Sequence, residues 1–191
     1  MKRILLIVIS AFCLTYAFAQ EKLNIDIQKS KLKWSCDYAF YFGGHKGTVE
    51  FKEGYFIKTK GVIVGGEFII DMNSIVCTDN EKIDRDSGLV NHLKNQDFFD
   101  VKKYPIAKLV ITNVLYEDDL YIKIVANLTI KNSTLPINFR GKVDYKKQEL
   151  TTKFKIDRTL WGITYNSKEV EGALKDGLIS DAIEFEVRLN L

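Results

Sequence analysis

The sequence predicts an all-β protein, an antiparallel up-and-down barrel of about eight strands with one short helical insertion near residues 87–100. Three observations carry that expectation. Run after run alternates apolar and polar residues one by one; turn-forming clusters separate neighbouring runs by only a few residues; and one run, Gly88 to Ala107, breaks the alternation. Alternation gives each strand one apolar and one polar face, which is what antiparallel pairing with water on one side requires. Runs of about ten residues joined by tight hairpins favour a closed barrel over a sandwich.

Taken in order, the chain opens on a targeting segment. Lys2 and Arg3 form a basic start, Ile4 to Phe12 an apolar core too short to span a bilayer with ease, and Ala17-Phe18-Ala19 a small-x-small cleavage site. Residues 1–19 therefore read as a signal peptide and 20–191 as one domain, exported to the periplasm or secreted. A lipoprotein signal at Cys13 is rejected, because Phe12 stands where a small residue is needed. No later stretch is long and apolar enough to span a membrane as a helix.

The first strand carries Leu32, Trp34, Cys36, Tyr38 and Phe40 on one face, against Lys31, Lys33, Ser35 and Asp37 on the other. Val49 and Phe51, then Phe68, Ile70 and Met72, mark the next two. The break in pattern follows. Leu89 and Leu93 are four apart and share a helical face, with Ser87 or Asp86 as N-cap. The aromatic pair Phe98-Phe99 comes next, and Tyr104-Pro105 returns the chain to extended backbone. Alternation resumes at Ala107, Leu109 and Ile111, and continues through Leu120 to Ile130, Leu135 to Tyr145, Leu150 to Ile156 and Ile183 to Leu191. Lys52-Glu53-Gly54, Glu117-Asp118-Asp119, Lys131-Asn132-Ser133 and Lys146-Lys147-Gln148 read as the turns between runs. Gly43-Gly44-His45-Lys46-Gly47 reads as a hairpin or rim turn whose glycines permit positive φ.

Composition and motifs exclude several functions. The formal charge is +3, and once Lys2 and Arg3 are removed there is no electrostatic case for nucleic acid. Cys36 and Cys77 would form either one disulfide or two free thiols; neither lies in a C-x-x-C or beside a histidine, so a catalytic thiol has no support. No metal is expected: the chain has two histidines, His45 and His92, without ligands at suitable spacing, whereas catalytic zinc needs three. Asp84 or Asp86 would have to complete such a site. No G-x-S-x-G is present, and the clustered carboxylates at residues 117–119 fall in a turn. Asn127-Leu128-Thr129 and Asn132-Ser133-Thr134 match the glycosylation pattern, a match short enough to arise by chance.

The apolar faces remain. An eight-stranded barrel is either filled by side chains or wide enough for one small ligand. Trp34, Tyr38, Phe40, Phe51, Phe68, Phe98, Phe99, Phe139, Phe154 and Trp161, with Ile70, Leu109 and Ile111, are the residues that would line a tunnel or close it; periodicity alone does not decide between the two.

Several segments resemble the YceI-like family in order and spacing. They are Ser30 to Trp34, His45-Lys46-Gly47, Gly65 to Ile75, His92 to Pro105, Asn127 to Lys131, and Asp157-Arg158 with Gly162. Asp97 to Pro105 is the most specific of them. The resemblance implies a lipocalin-like barrel with a helical insertion, holding a long isoprenoid, or a quinone-like or acyl amphiphile, in its lumen without catalysis. It implies no cofactor, an amphiphilic small molecule as partner, and no spanning of the membrane; a homodimer is compatible with it. His45, His92, Asp71 and Arg158 stand in the motifs as candidates for the rim, where a headgroup would sit. Asp71 and Arg158 could equally pair with each other to hold the insertion onto the barrel. The other reading of a filled barrel is an envelope-stress or protein-interaction module.

Overall fold

The structure, a computed structural model, describes residues 20–40, 42–79, 83–86, 88–168 and 178–191. The expected signal peptide, residues 1–19, and the N-cap candidate Ser87 lie outside these. The described strands are β1 (Glu21–Asn24), β2 (Lys31–Asp37), β3 (Gly44–Thr59), β4 (Val62–Cys77), β5 (Ile106–Tyr116), β6 (Tyr121–Ile130), β7 (Ser133–Asp144), β8 (Glu149–Asp157) and β9 (Ala182–Asn190). Helix α1 (Gly88–Lys94) lies between β4 and β5, and a 3₁₀ turn, Arg158–Trp161, follows β8.

The strands make one sheet in the order β1-β3-β2-β9-β8-β7-β6-β5-β4, and β3 also pairs with β4. That last pairing closes eight antiparallel strands into the expected barrel. The extra strand is β1. It pairs Glu21–Asn24 with Tyr55–Lys58, on the edge of β3 whose other half pairs with β2. Its sequence, Glu-Lys-Leu-Asn, has no alternation to mark it.

Two expected turns are strand instead. Lys52-Glu53-Gly54 lies inside β3, which runs 16 residues, and its polar residues fall at an irregularity in register between Phe51 and Glu53. Gly54 is there for close approach: a Cβ on it would press into Phe68 and Ile25. The turn between β3 and β4 falls at Lys60 and Gly61, with φ 53° and 81°, the two left-handed residues of a primed hairpin. Likewise Gly43 takes φ 106° just before β3, and Gly44 to Gly47 are already strand.

The remaining hairpins are where they were expected. Asp118 accepts from the backbone N–H groups of Leu120 and Tyr121, and Asp144 from those of Lys146 and Lys147, so a short carboxylate shapes each turn. Leu120 and Tyr145, read as inward positions, sit at those turns and are exposed. The link from β2 to β3, the segment containing α1, and the segment that follows β8 leave the opposite end of the barrel. There α1 buries Val90 and Leu93, and the chain beyond it buries Phe98 and Val101. The inward faces of β2 to β9 join Leu93, Phe98 and Val101 in one apolar cluster, in which Phe56, Ile122, Ile124, Ala126, Val143, Leu150 and Ile163 are almost completely buried.

Candidate functional site

Inside the barrel is a cavity of about 170 Å³. Because β-strands alternate, the wall is built from residues on one face of β2 to β9, most of them apolar. Trp34, Phe51, Phe68, Ile70, Leu109, Ile111, Phe139 and Phe154 line it as expected. So do Phe56 and Phe185, which belong to the same alternating faces and were not singled out. Phe139 and Phe154 stack at 4.4 Å between centroids and 13° between planes; Phe56 meets Phe68 edge-on at 5.0 Å. At the α1 end, Leu89, Leu93, Phe98 and Phe99 cover the cavity.

Two residues expected to line the lumen do not. Phe40 is 64% exposed: β2 stops at Asp37, so the alternation that would have carried Phe40 inward no longer applies. Trp161 is buried, but in the packed layer under the 3₁₀ turn, where its Nε1–H donates to the Leu128 carbonyl at 3.1 Å. Tyr38, just past the end of β2, reaches the cavity wall from a single bridge to Ile179.

The four rim candidates are dispersed. Asp71 lies between inward Ile70 and Met72, so it faces outward, and it accepts from the backbone and side-chain N–H groups of Asn73 at 3.0 Å. It does not meet Arg158. That guanidinium is fully buried and donates to the carbonyls of Ile163 at 2.7 Å, Ser180 at 3.1 Å and Ile179 at 3.3 Å. Asp181 stands 3.6 Å away. Arg158 therefore ties the segment after β8 to the barrel end through three backbone carbonyls, and it also lines the cavity. His92 packs edge-on against Phe98 and Tyr165, at 5.1 and 4.5 Å between centroids, and does not line the cavity.

His45 does line it. Its Nε2 is 2.9 Å from the Tyr38 hydroxyl and its Nδ1 2.6 Å from Asp79 Oδ2. Asp79 and Cys77, more than thirty positions along the chain, are brought beside it by the pairing of β3 with β4. No spacing rule finds that cluster, since it is made by two strands meeting. Burial works against ionisation of Asp79, but the hydrogen bonds from His45 and the Lys46 backbone N–H outweigh it and hold the carboxyl below its ordinary range.

Both cysteines are free thiols. They sit on β2 and β4 with β3 between, which separates their Cα atoms by about 9–10 Å, beyond disulfide reach. Burial pushes the Cys36 thiol up to about 11, against the opposing pull of Arg158, so it stays protonated at neutral pH.

A closed antiparallel barrel with an apolar interior and a helical cover is the architecture of a barrel that can enclose one small ligand. More narrowly, the chain belongs to the YceI-like domain family, whose family model matches residues 18–191. It is 28% identical over 123 residues to a UPF0312 protein of Pseudomonas putida, covering 64% of this chain and 61% of that one; the chain thus spans less than two thirds of the curated relatives it matches. Among solved structures it resembles Burkholderia cenocepacia BcnA, with TM-score 0.67 at 17% identity over 86% of this chain and 98% of that one. It also resembles a polyisoprenoid binding domain from Saccharophagus degradans implicated in plant cell wall breakdown, with TM-score 0.57 at 12% identity over 90% and 97%. At these identities the likeness speaks for the fold. No helix among the described residues is long and apolar enough to cross a membrane.

Proposed function

We propose that this protein is exported and carries an amphiphile, its isoprenoid, quinone-like or acyl tail held in the barrel lumen, and that it performs no chemistry on it. The observation that carries the reading is the cavity of about 170 Å³, walled by apolar side chains from β2 to β9 and covered by Leu89, Leu93, Phe98 and Phe99. Membership of the YceI-like family and the likeness to a polyisoprenoid binding domain support it. Each methylene moved from water into such a wall contributes about 0.8 kcal/mol, so about ten carbons supply roughly 8 kcal/mol before ordering costs. An apolar cavity of about 150 Å³ is enough for benzene. The lumen thus seats a ring-sized portion of a chain, and a long isoprenoid enters further only as the cover moves outward.

Two of the polar groups on the cavity wall support the absence of catalysis: the Cys36 thiol is held protonated, and Arg158 donates to three backbone carbonyls. Export rests on the N-terminal segment, residues 1–19. The modest cavity volume favours one second reading, a filled barrel that acts through its surface as a protein-interaction module. Organic extraction of protein purified from its native compartment, followed by mass spectrometry, separates the two. A stoichiometric isoprenoid or acyl amphiphile is expected. Protein that yields none, and that takes up no added farnesol or longer isoprenoid, overturns the carrier reading.

A further inference from the structure

We propose that His45, Cys77 and Asp79 form a metal site at the mouth of the lumen, suited to a borderline divalent ion such as Zn²⁺. The imidazole nitrogen, the thiol sulfur and a carboxylate oxygen of these residues all lie within 4.8 Å of one another. Tetrahedral zinc, with bonds of about 2.0–2.3 Å, needs such atoms about 3.3–3.6 Å apart, which small side-chain rotations supply. One thiolate, one imidazole and one carboxylate are a zinc donor set, and three protein ligands leave a fourth position for water or another donor.

The atoms around the cluster are arranged as supports for ligands. His45 offers Nδ1 to the cluster while its Nε2 meets the Tyr38 hydroxyl at 2.9 Å. Asp79 offers Oδ2 while its Oδ1 accepts from the Lys46 backbone N–H at 2.8 Å. Cys77 is held by two backbone hydrogen bonds with Asp84, at 3.0 and 2.9 Å, and the Thr78 N–H donates to the Lys46 carbonyl at 2.8 Å. The imidazole and the carboxylate are thus each fixed by a partner on the far side, as the outer contacts of metal ligands usually are, and the backbone that carries Cys77 is pinned by Asp84.

The proton balance closes. The metal displaces the Cys77 thiol proton, which leaves to solvent, so one proton is released per ion. The ion takes the place of the ring proton that Nδ1 donates to Asp79, and the ring carries a proton on Nε2 instead, donated to the Tyr38 oxygen, so the ring itself neither gains nor loses a proton. A hydroxyl can donate or accept, so Tyr38 supports the ring before and after metal binding. The charges of thiolate and carboxylate then cancel that of the ion. Because His45 and Tyr38 also line the cavity, an ion here sits beside the lumen.

Titration of the purified protein with Co²⁺, followed by displacement with Zn²⁺, tests the site. A thiolate-to-cobalt charge-transfer band saturating at one ion per chain is expected, abolished by Zn²⁺. Cys77→Ser removes the band and Cys36→Ser keeps it. His45→Ala and Asp79→Ala each weaken Zn²⁺ binding at least tenfold, and Tyr38→Phe about tenfold through the lost outer contact. Cys77 is buried, so if Cys77→Ser does not fold, the half-buried His45 and Asp79 variants carry the test. No thiolate band in the wild type, or a band unchanged in both of those variants, overturns the proposal and leaves His45–Asp79 as a structural hydrogen bond.

Discussion

The indole N–H of Trp34 is buried and has no hydrogen-bond partner among the described residues. Such an orphan donor costs about 1–3 kcal/mol. The ring is admitted by Gly47 across the strand pair, where a Cβ would come within 2.6 Å of the indole. Trp34→Phe keeps an aromatic ring and removes the orphan, so the metal-free, ligand-free protein is expected to unfold at the same denaturant midpoint or a higher one. If a carried amphiphile presents an oxygen to that N–H, its affinity falls in the same variant by about tenfold, one charge-neutral hydrogen bond. A midpoint that drops steeply, with binding unchanged, would assign Trp34 to packing alone. Arg158 is the reverse case, a buried donor whose three nitrogens each have a partner. Its planar fork serves three carbonyls at once, which a lysine ammonium does not reproduce. Arg158→Lys is expected to destabilise and Arg158→Ala to cost about 3–5 kcal/mol, measured by equilibrium denaturation.

At the scale of elements, the cover formed by α1 and the chain after it differs from the strands beneath. Phe98 is buried, whereas Phe99 is only partly so and packs against the core cluster. Truncating a fully buried Phe costs about 3–5 kcal/mol; Phe99→Ala is expected to cost less, yet to release a bound isoprenoid several-fold faster, because it opens the cover. Equal losses in stability and retention would mean that the cover is simply core. The hairpins answer to pH. Hydrogen bonds from backbone N–H groups hold the Asp118 and Asp144 carboxyls below the ordinary carboxylate value of 3.8. A carboxyl lowered in the folded state stabilises the fold above its unfolded value, and that contribution is lost as pH falls through the folded one. Between about pH 5 and about pH 2, the wild-type Tm should therefore fall further than that of the Asp118→Asn, Asp144→Asn double variant. Parallel decline in the two proteins would show that these turns add nothing ionic.

For the whole molecule, ligand and fold are one equilibrium. An amphiphile that binds the barrel and not the unfolded chain adds about 2.7 kcal/mol at a hundred times its Kd. For a domain of this size that is a rise in Tm of roughly 5–10 °C. Farnesol, followed by scanning calorimetry, is expected to produce it, and Phe99→Ala to reduce it. The barrel that makes this coupling also ranks its ends. The β3–β4, β5–β6 and β7–β8 hairpins close one of them, while the long segments, the helix, Arg158 and the His45 cluster gather at the other, beside the β6–β7 hairpin.

Alternation alone determined the class of this protein: antiparallel strands, closed into a barrel, with Trp34, Phe51, Phe68, Phe139 and Phe154 facing one interior. The period of a strand is local, so it is written in consecutive residues. The broken run from Gly88 onward marked the cover for the same reason. Tertiary structure decided what depends on strands meeting or stopping. It turned Lys52-Glu53-Gly54 from a turn into an irregular stretch of β3, ended β2 before Phe40, and parted Asp71 from Arg158. Above all it set Cys77 and Asp79 against His45, because register between β3 and β4 is a property of the closed sheet and of neither strand alone.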